Sequence, residues 1–311
     1  RQRAERLDDG MQQGAAATDQ GQARAATLVG AGAILLWATL ALLTAQARAM
    51  PPFELTAAAF SVAFVLSLGK WLLTGQSVLA HLCQPWPVWL LGVGGLFGYH
   101  FLYFVALRNA PPVEANLINY LWPLLIVLFS ALLPGERLRW FHLAGAAAGL
   151  AGTVLVVTGG ALRFEAQYLV GYSAALGCAA TWAAYSVLSR RVRQVPTDAV
   201  GGFCGATAAL AWICHLALEP TVWPPGPVWL ALVALGLGPV GAAFFLWDHG
   251  VKRGDIKALG AFAYATPLLS TLLLLLFGIG SPRWSLLVAV LLISGGAALG
   301  AGDLLSRRSR L

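Results

Sequence analysis

Residues 114–125 read EANLINYLWPLL, and residues 258–269, 144 positions further on, read ALGAFAYATPLL. Tyr120 meets Tyr264 at this shift, and Pro123-Leu124-Leu125 meets Pro267-Leu268-Leu269. Leucine matches carry little weight in an apolar chain, but coincident Tyr and Pro do. The same shift pairs Gly92 with Gly236, Gly94 with Gly238, Phe101-Leu102 with Phe245-Leu246, Arg139-Trp140 with Arg283-Trp284, and Gly152 with Gly296. A shift of 145 pairs Gly32 with Gly177 and Trp37-Ala38 with Trp182-Ala183. The chain therefore reads as a duplication, with one copy over 25–160 and the second over 168–302.

The copies are read as membrane-embedded. Of 311 residues, 59% are hydrophobic and 11% charged, against roughly 25% charged in soluble proteins. The apolar residues fall in blocks of about 20, the length that crosses a bilayer. Ten spans are expected, at about 25–45, 54–74, 86–107, 112–133, 140–160, 168–188, 199–218, 227–248, 256–278 and 284–302. Turn punctuation separates them, as at Pro51-Pro52, Pro111-Pro112, Pro134-Gly135 and Pro224-Pro225-Gly226. The expected fold is an all-α integral membrane protein of ten transmembrane helices. Five spans per copy is an odd number, so the second copy enters from the opposite face and the repeats are inverted. Many secondary transporters are built this way, with the substrate near the midplane between the repeats.

Net charge +7 would suit nucleic acid, but the placement of the charges argues against it. Sixteen of the twenty Lys and Arg fall on one side of the expected topology, leaving Arg48, Arg108, Arg163 and Arg283 on the other. Cytoplasmic loops are enriched in these residues, so both termini are expected in the cytoplasm. Residues 1–24 are polar and lack the apolar centre of a signal peptide. They are expected to be a disordered tail, and residues 303–311 a basic cytoplasmic tail. Cys83, Cys178, Cys204 and Cys214 have no metal-site spacing and read as small hydrophobes. No metal, cofactor or nucleophile–base pair is expected, and so no enzyme.

The spans at 112–133 and 256–278 each carry a proline near the middle, Pro123 and Pro267, read as hinges because proline removes a helical hydrogen bond. Asn116, Asn119, Tyr120 and Pro123 share one helix face, as do Gly260, Ala263, Tyr264, Pro267 and Ser270. His100 lies within a span among aromatics, and an ionisable group in a membrane marks a site. Trp37 and Trp182 lie inside duplicated spans, and Trp122 at the centre of its own. Trp71, Trp86, Trp89, Trp140, Trp223, Trp229 and Trp284 lie near span ends and read as interface anchors. Trp37, Tyr99, His100, Tyr103, Asn119, Tyr120, Trp122, Trp182 and Tyr264 are expected to line one central substrate cavity. No carboxylate or fixed cation stands at any span centre. That argues against a phosphate pathway and for a facilitator over a proton-driven pump.

The run Asn119-Tyr120-Leu121-Trp122-Pro123, preceded by Glu114-Ala115-Asn116, resembles the central motif of the YddG-type aromatic amino acid exporters. These are EamA-like members of the drug/metabolite transporter superfamily. The resemblance spans about 25–302 and takes in Trp37 and Trp182-Ala183-Ala184-Tyr185. It implies a multi-pass exporter of the bacterial inner membrane, working by alternating access on small zwitterionic amino acids: Phe, Trp, Tyr and other neutral ones. The lipid bilayer is its expected partner, with no nucleic acid, and it is expected to act as a monomer. A broader drug or metabolite exporter and a non-transporting receptor or scaffold stay open as alternatives.

Overall fold

Apolar blocks of this length fold as helices because a bilayer offers no partner for free backbone groups. A computed structural model describes residues 2–159, 165–278 and 284–300. Among them, eight helices are long and apolar enough to cross a membrane. These are α1 (Asp19–Gln46), α2 (Pro52–Leu73), α3 (Trp86–Asn109), α4 (Pro112–Ser130), α5 (Trp140–Thr158), α7 (Thr197–Leu218), α8 (Gly226–Arg253) and α9 (Ile256–Leu276). Two more helices complete the order, α6 (Leu169–Ser189) and α10 (Trp284–Gly300). α6 is less apolar because it is rich in Ala, Gly, Ser and Tyr, and much of its surface meets other helices instead of lipid.

The helix irregularities recur at the spacing of the sequence match. α4 is interrupted at Tyr120 and Leu121, between Pro112–Asn119 and Trp122–Ser130, and α9 at Tyr264, between Ile256–Ala263 and Ala265–Leu276. Each break falls within one turn before the expected hinge proline. α3 contains a π-helical turn at Gly94–Gly98, and α8 has one at Gly238–Ala242, again 144 positions on. Such turns add a residue to the helical ladder and re-aim the rest of the helix.

Helices pair across the two copies: α1 with α8, α6 with α3, α2 with α7, α4 with α9 and α5 with α10. Small residues make the crossings close. A Cβ on Gly30 would stand 2.9 Å from Gly250 Cα, and one on Gly145 would stand 2.6 Å from Gly296 O. Without a hydrophobic force between helices in lipid, such close approach supplies the packing energy.

Two sequence expectations need correction. Helical backbone runs from Gln2 to Ala38, through the segment expected to be a disordered tail. Its Ala, Gln and Arg content favours helix, and the first span continues it without a break. Trp71 is not an interface anchor: it is wholly buried and stacked on His81 at 4.8 Å between ring centroids. Trp86, Trp140, Trp223 and Trp284 are exposed, as a membrane belt requires. The basic tail at 303–311 lies outside the described residues.

Candidate functional site

The interrupted and π-containing helices α3, α4, α8 and α9 meet α1, α2 and α6 around a cavity of about 720 Å³. That lies within the range of roughly 300–1,000 Å³ usual for small-ligand sites. Its wall includes Trp37, Tyr99, His100, Tyr103, Asn119, Tyr120, Trp122 and Trp182, so eight of the nine nominated residues share one space. Pro267 also lines it, whereas Pro123 is buried away from it.

Tyr264 is the exception. It is fully buried, its ring lies against Gly149, and its hydroxyl accepts a hydrogen bond from the Leu124 backbone N–H at 3.1 Å. It braces the broken segment of α4 from behind. The duplication relates Tyr264 to Tyr120 in sequence, but Tyr120 faces the cavity.

The floor is a cluster of indoles. Trp37, Trp122, Trp182 and Trp247 contact one another in all six pairings, with ring centroids 5.1–6.4 Å apart. Offset and edge-on pairs in this range are favourable. Trp247 is wholly buried and its Nε1 donates to Ser186 Oγ at 3.0 Å. Phe244 extends the floor, touching Trp37 and Trp182 and stacking on Phe60 at 5.7 Å. Reading the sequence missed Trp247 and Phe244, yet the shift of 144 places them opposite the nominated Tyr103 and His100.

Polar groups are few and placed by α3 and α4. Tyr103 Oη donates to Asn116 Oδ1 at 2.6 Å, and Asn119 Nδ2 donates to Tyr99 Oη at 3.0 Å. His100 Nδ1 donates to Leu96 O at 2.7 Å. A carbonyl can only accept, so this bond fixes the proton on Nδ1 and leaves Nε2 of the neutral ring as an acceptor. Asn119 Oδ1 and Thr266 Oγ1 are buried without a protein hydrogen-bond partner. Leaving such an atom unsatisfied costs about 1–3 kcal/mol, so a ligand that reaches it gains that much over water-free closure. Thr266 was missed by sequence reading; it stands where the first copy has Trp122.

Among the described residues, Arg48 is the only lining side chain with a permanent charge. No group of His, Cys, Asp and Glu among them could hold a metal ion. The cavity lining reaches exposed residues at the end of α1, Thr44 and Arg48. Below the indole floor the bundle is shut. Glu136 pairs with Lys257 at 2.9 Å and with Arg190 at 3.5 Å, while Asp248 holds Lys252 at 2.9 Å and accepts from Thr197 at 2.8 Å.

The sequence pattern described as the EamA-like transporter family matches this chain twice, over residues 24–158 and 169–300. The aromatic amino acid exporter YddG of Ancylobacter novellus is 56% identical over 91% of this chain and 98% of its own length. The aromatic amino acid exporter YddG of Escherichia coli is 26% identical over 88% of this chain and 96% of its own. A solved crystal structure, 56% identical, superposes with a TM-score of 0.86 over 90% of this chain and 98% of that one.

Proposed function

The chain belongs to the EamA-like transporter family, and we propose that it exports aromatic and other neutral amino acids through the central cavity by alternating access. The observation that carries the proposal is the cavity itself: it is lined by the indoles of Trp37, Trp122 and Trp182, and Arg48 is its only permanently charged lining side chain among the described residues. An aromatic side chain gains edge and face contacts there. The ammonium can sit over ring faces and bond the orphan Asn119 Oδ1 or His100 Nε2. A zwitterion carries no net charge, so it needs no fixed counter-charge at that depth.

Ten spans as two inverted repeats fit this reading. The double family match, the paired π turns and the helix pairing across the copies all support it. With both termini in the cytoplasm of a bacterial inner membrane, as the charge asymmetry favours, the mouth at Arg48 faces outward. Substrate would then be released from this state and loaded in its opposite. The absence of a mid-span carboxylate among the described residues supports facilitation over proton coupling.

Counterflow of labelled phenylalanine in liposomes, challenged with each of the twenty amino acids, tests the proposal. Strong competition by Phe, Trp and Tyr, weaker competition by small neutral residues and none by Asp or Lys is expected. Competition by cationic drugs with none by amino acids would establish the broader exporter instead. No counterflow at all would leave a receptor or scaffold.

A further inference from the structure

We propose that Trp37 and Trp182 exchange two jobs during the cycle: one indole N–H latches a π turn while the other is free to hold the substrate carboxylate. This deepens the transporter reading above and rests on it. In this structure Trp37 Nε1 donates to the Pro239 carbonyl at 3.0 Å. Pro239 lies in the π turn Gly238–Ala242 of α8. The duplication places Trp182 opposite Trp37, and Gly95, in the π turn Gly94–Gly98 of α3, opposite Pro239.

The second copy of the bond has its parts but is not made. α6 packs against the π turn of α3, and a Cβ on Gly95 would stand 2.4 Å from Tyr185 Cδ2, one helical turn beyond Trp182. Among the described residues no hydrogen bond engages Trp182 Nε1; its backbone carbonyl accepts from Ser186 Oγ and its ring lines the cavity. A π turn leaves carbonyls outside the regular ladder, so both turns offer an acceptor. Donor, acceptor and helix pairing are thus duplicated, while the bond exists on one side only.

In an inverted repeat, the opposite-facing state arises when the two copies exchange conformations. The Trp37 bond then opens, and Trp182 Nε1 bonds the Gly95 carbonyl. Each state then keeps one indole of the duplicated pair free as a donor in the cavity, alongside that of Trp122. A carboxylate bonded by that N–H makes a charge-assisted contact and competes with the latch that this indole must form for the bundle to turn. Release of substrate and closure of the mouth are therefore linked through one hydrogen atom.

Thr44→Cys reports the open mouth, in a chain with Cys83 and Cys214 changed to Ser; Cys178 and Cys204 are buried. Its labelling by an impermeant maleimide, relative to the exposed Trp223→Cys, gives the open-to-closed ratio. Trp37→Phe keeps an aromatic ring of smaller size and removes the donor, so the ratio should fall roughly 2- to 13-fold, the worth of one net hydrogen bond. Trp182→Phe should raise it by a similar factor, and the double variant should return towards the starting value. Should Trp37→Phe misfold, the rise in Trp182→Phe alone decides. In counterflow, Trp182→Phe should weaken competition by phenylalanine and leave phenylalaninol, which lacks the carboxylate, unaffected.

Shifts in the same direction, or no shift, would overturn the exchange even though phenylalanine still changes labelling of the parent chain. If phenylalanine leaves the parent unchanged and no counterflow occurs, the transporter reading falls and the exchange with it.

Discussion

At the end of the bundle that carries Glu136, charged groups from both copies interlock: Lys257 and Arg190 on Glu136, Arg191 on the Leu132 carbonyl, and Lys70 on Asp198. At the opposite end, the cavity lining reaches the exposed Thr44 and Arg48. Glu219 there also binds across the copies, taking the backbone N–H groups of Phe53 and Glu54 and pairing with Arg108, and it meets His215 one turn back in its own copy. Those contacts fasten α2, α3 and α7 together at one edge and do not cover the cavity. The difference teaches where a conformational change is stored. The shut end is held by polar bonds between copies that can break singly, whereas the open end has its bonds beside the path, so the mouth can close without breaking them.

The largest expected effect comes from cutting the shut end. Glu136→Ala removes the carboxylate that pairs with Lys257, whose side chain is 9% exposed, and with the less buried Arg190, while Lys257 keeps the Arg137 carbonyl and Arg190 that of Gly254. Charged hydrogen bonds of this kind are worth about 1.5–3 kcal/mol. A shift of roughly tenfold or more away from the state in which Thr44 is exposed is expected, read as slower labelling of Thr44→Cys. Unchanged labelling would mean that the indole floor alone keeps this end closed.

A smaller effect separates packing from gating. A Cβ on Gly149 would stand 2.4 Å from Tyr264 Cδ2, whereas one on Gly69 meets nothing within 4 Å. Gly149→Ala should cost about 1–3 kcal/mol by overpacking, seen as a lower melting temperature, and Gly69→Ala should not lower it. Equal melting of the two would remove Tyr264 from its bracing role.

The smallest effect compares the duplicated tyrosines. Tyr264→Phe deletes the hydroxyl that holds Leu124 N–H, at a cost of about 1 kcal/mol in stability, with competition constants unchanged. Tyr120→Ala removes an aromatic wall from the cavity and should weaken phenylalanine competition about 2- to 13-fold, with stability nearly intact. The opposite outcome would reverse the assignment of Tyr264 and Tyr120.

The duplication was legible because Tyr, Pro, Trp and Gly matches at one shift resist chance. The kinked spans and the mid-span indoles led to Trp37, Asn119, Tyr120, Trp122 and Trp182, and the aromatic run around the ionisable His100 to Tyr99, His100 and Tyr103. Tyr264 was misplaced because sequence symmetry says which positions are equivalent, not which copy faces the cavity in a given state. Trp247 escaped because it lies towards the end of its span, where indoles usually meet the interface. Asn119 could be nominated from its helix face, but its orphan oxygen depends on neighbours on α3 that only packing brings close. The π turns left no sign in the apolar pattern, since a single added residue barely shifts it.

Counterflow of labelled tryptophan in liposomes carrying the parent chain or Trp182→Ala, side by side, tests most directly whether the indole cavity is the path for aromatic amino acids. The parent should exchange, and the variant should fold normally with its competition constant for phenylalanine raised about 2- to 13-fold. Equal constants in two equally folded proteins, or no exchange by the parent, would contradict it.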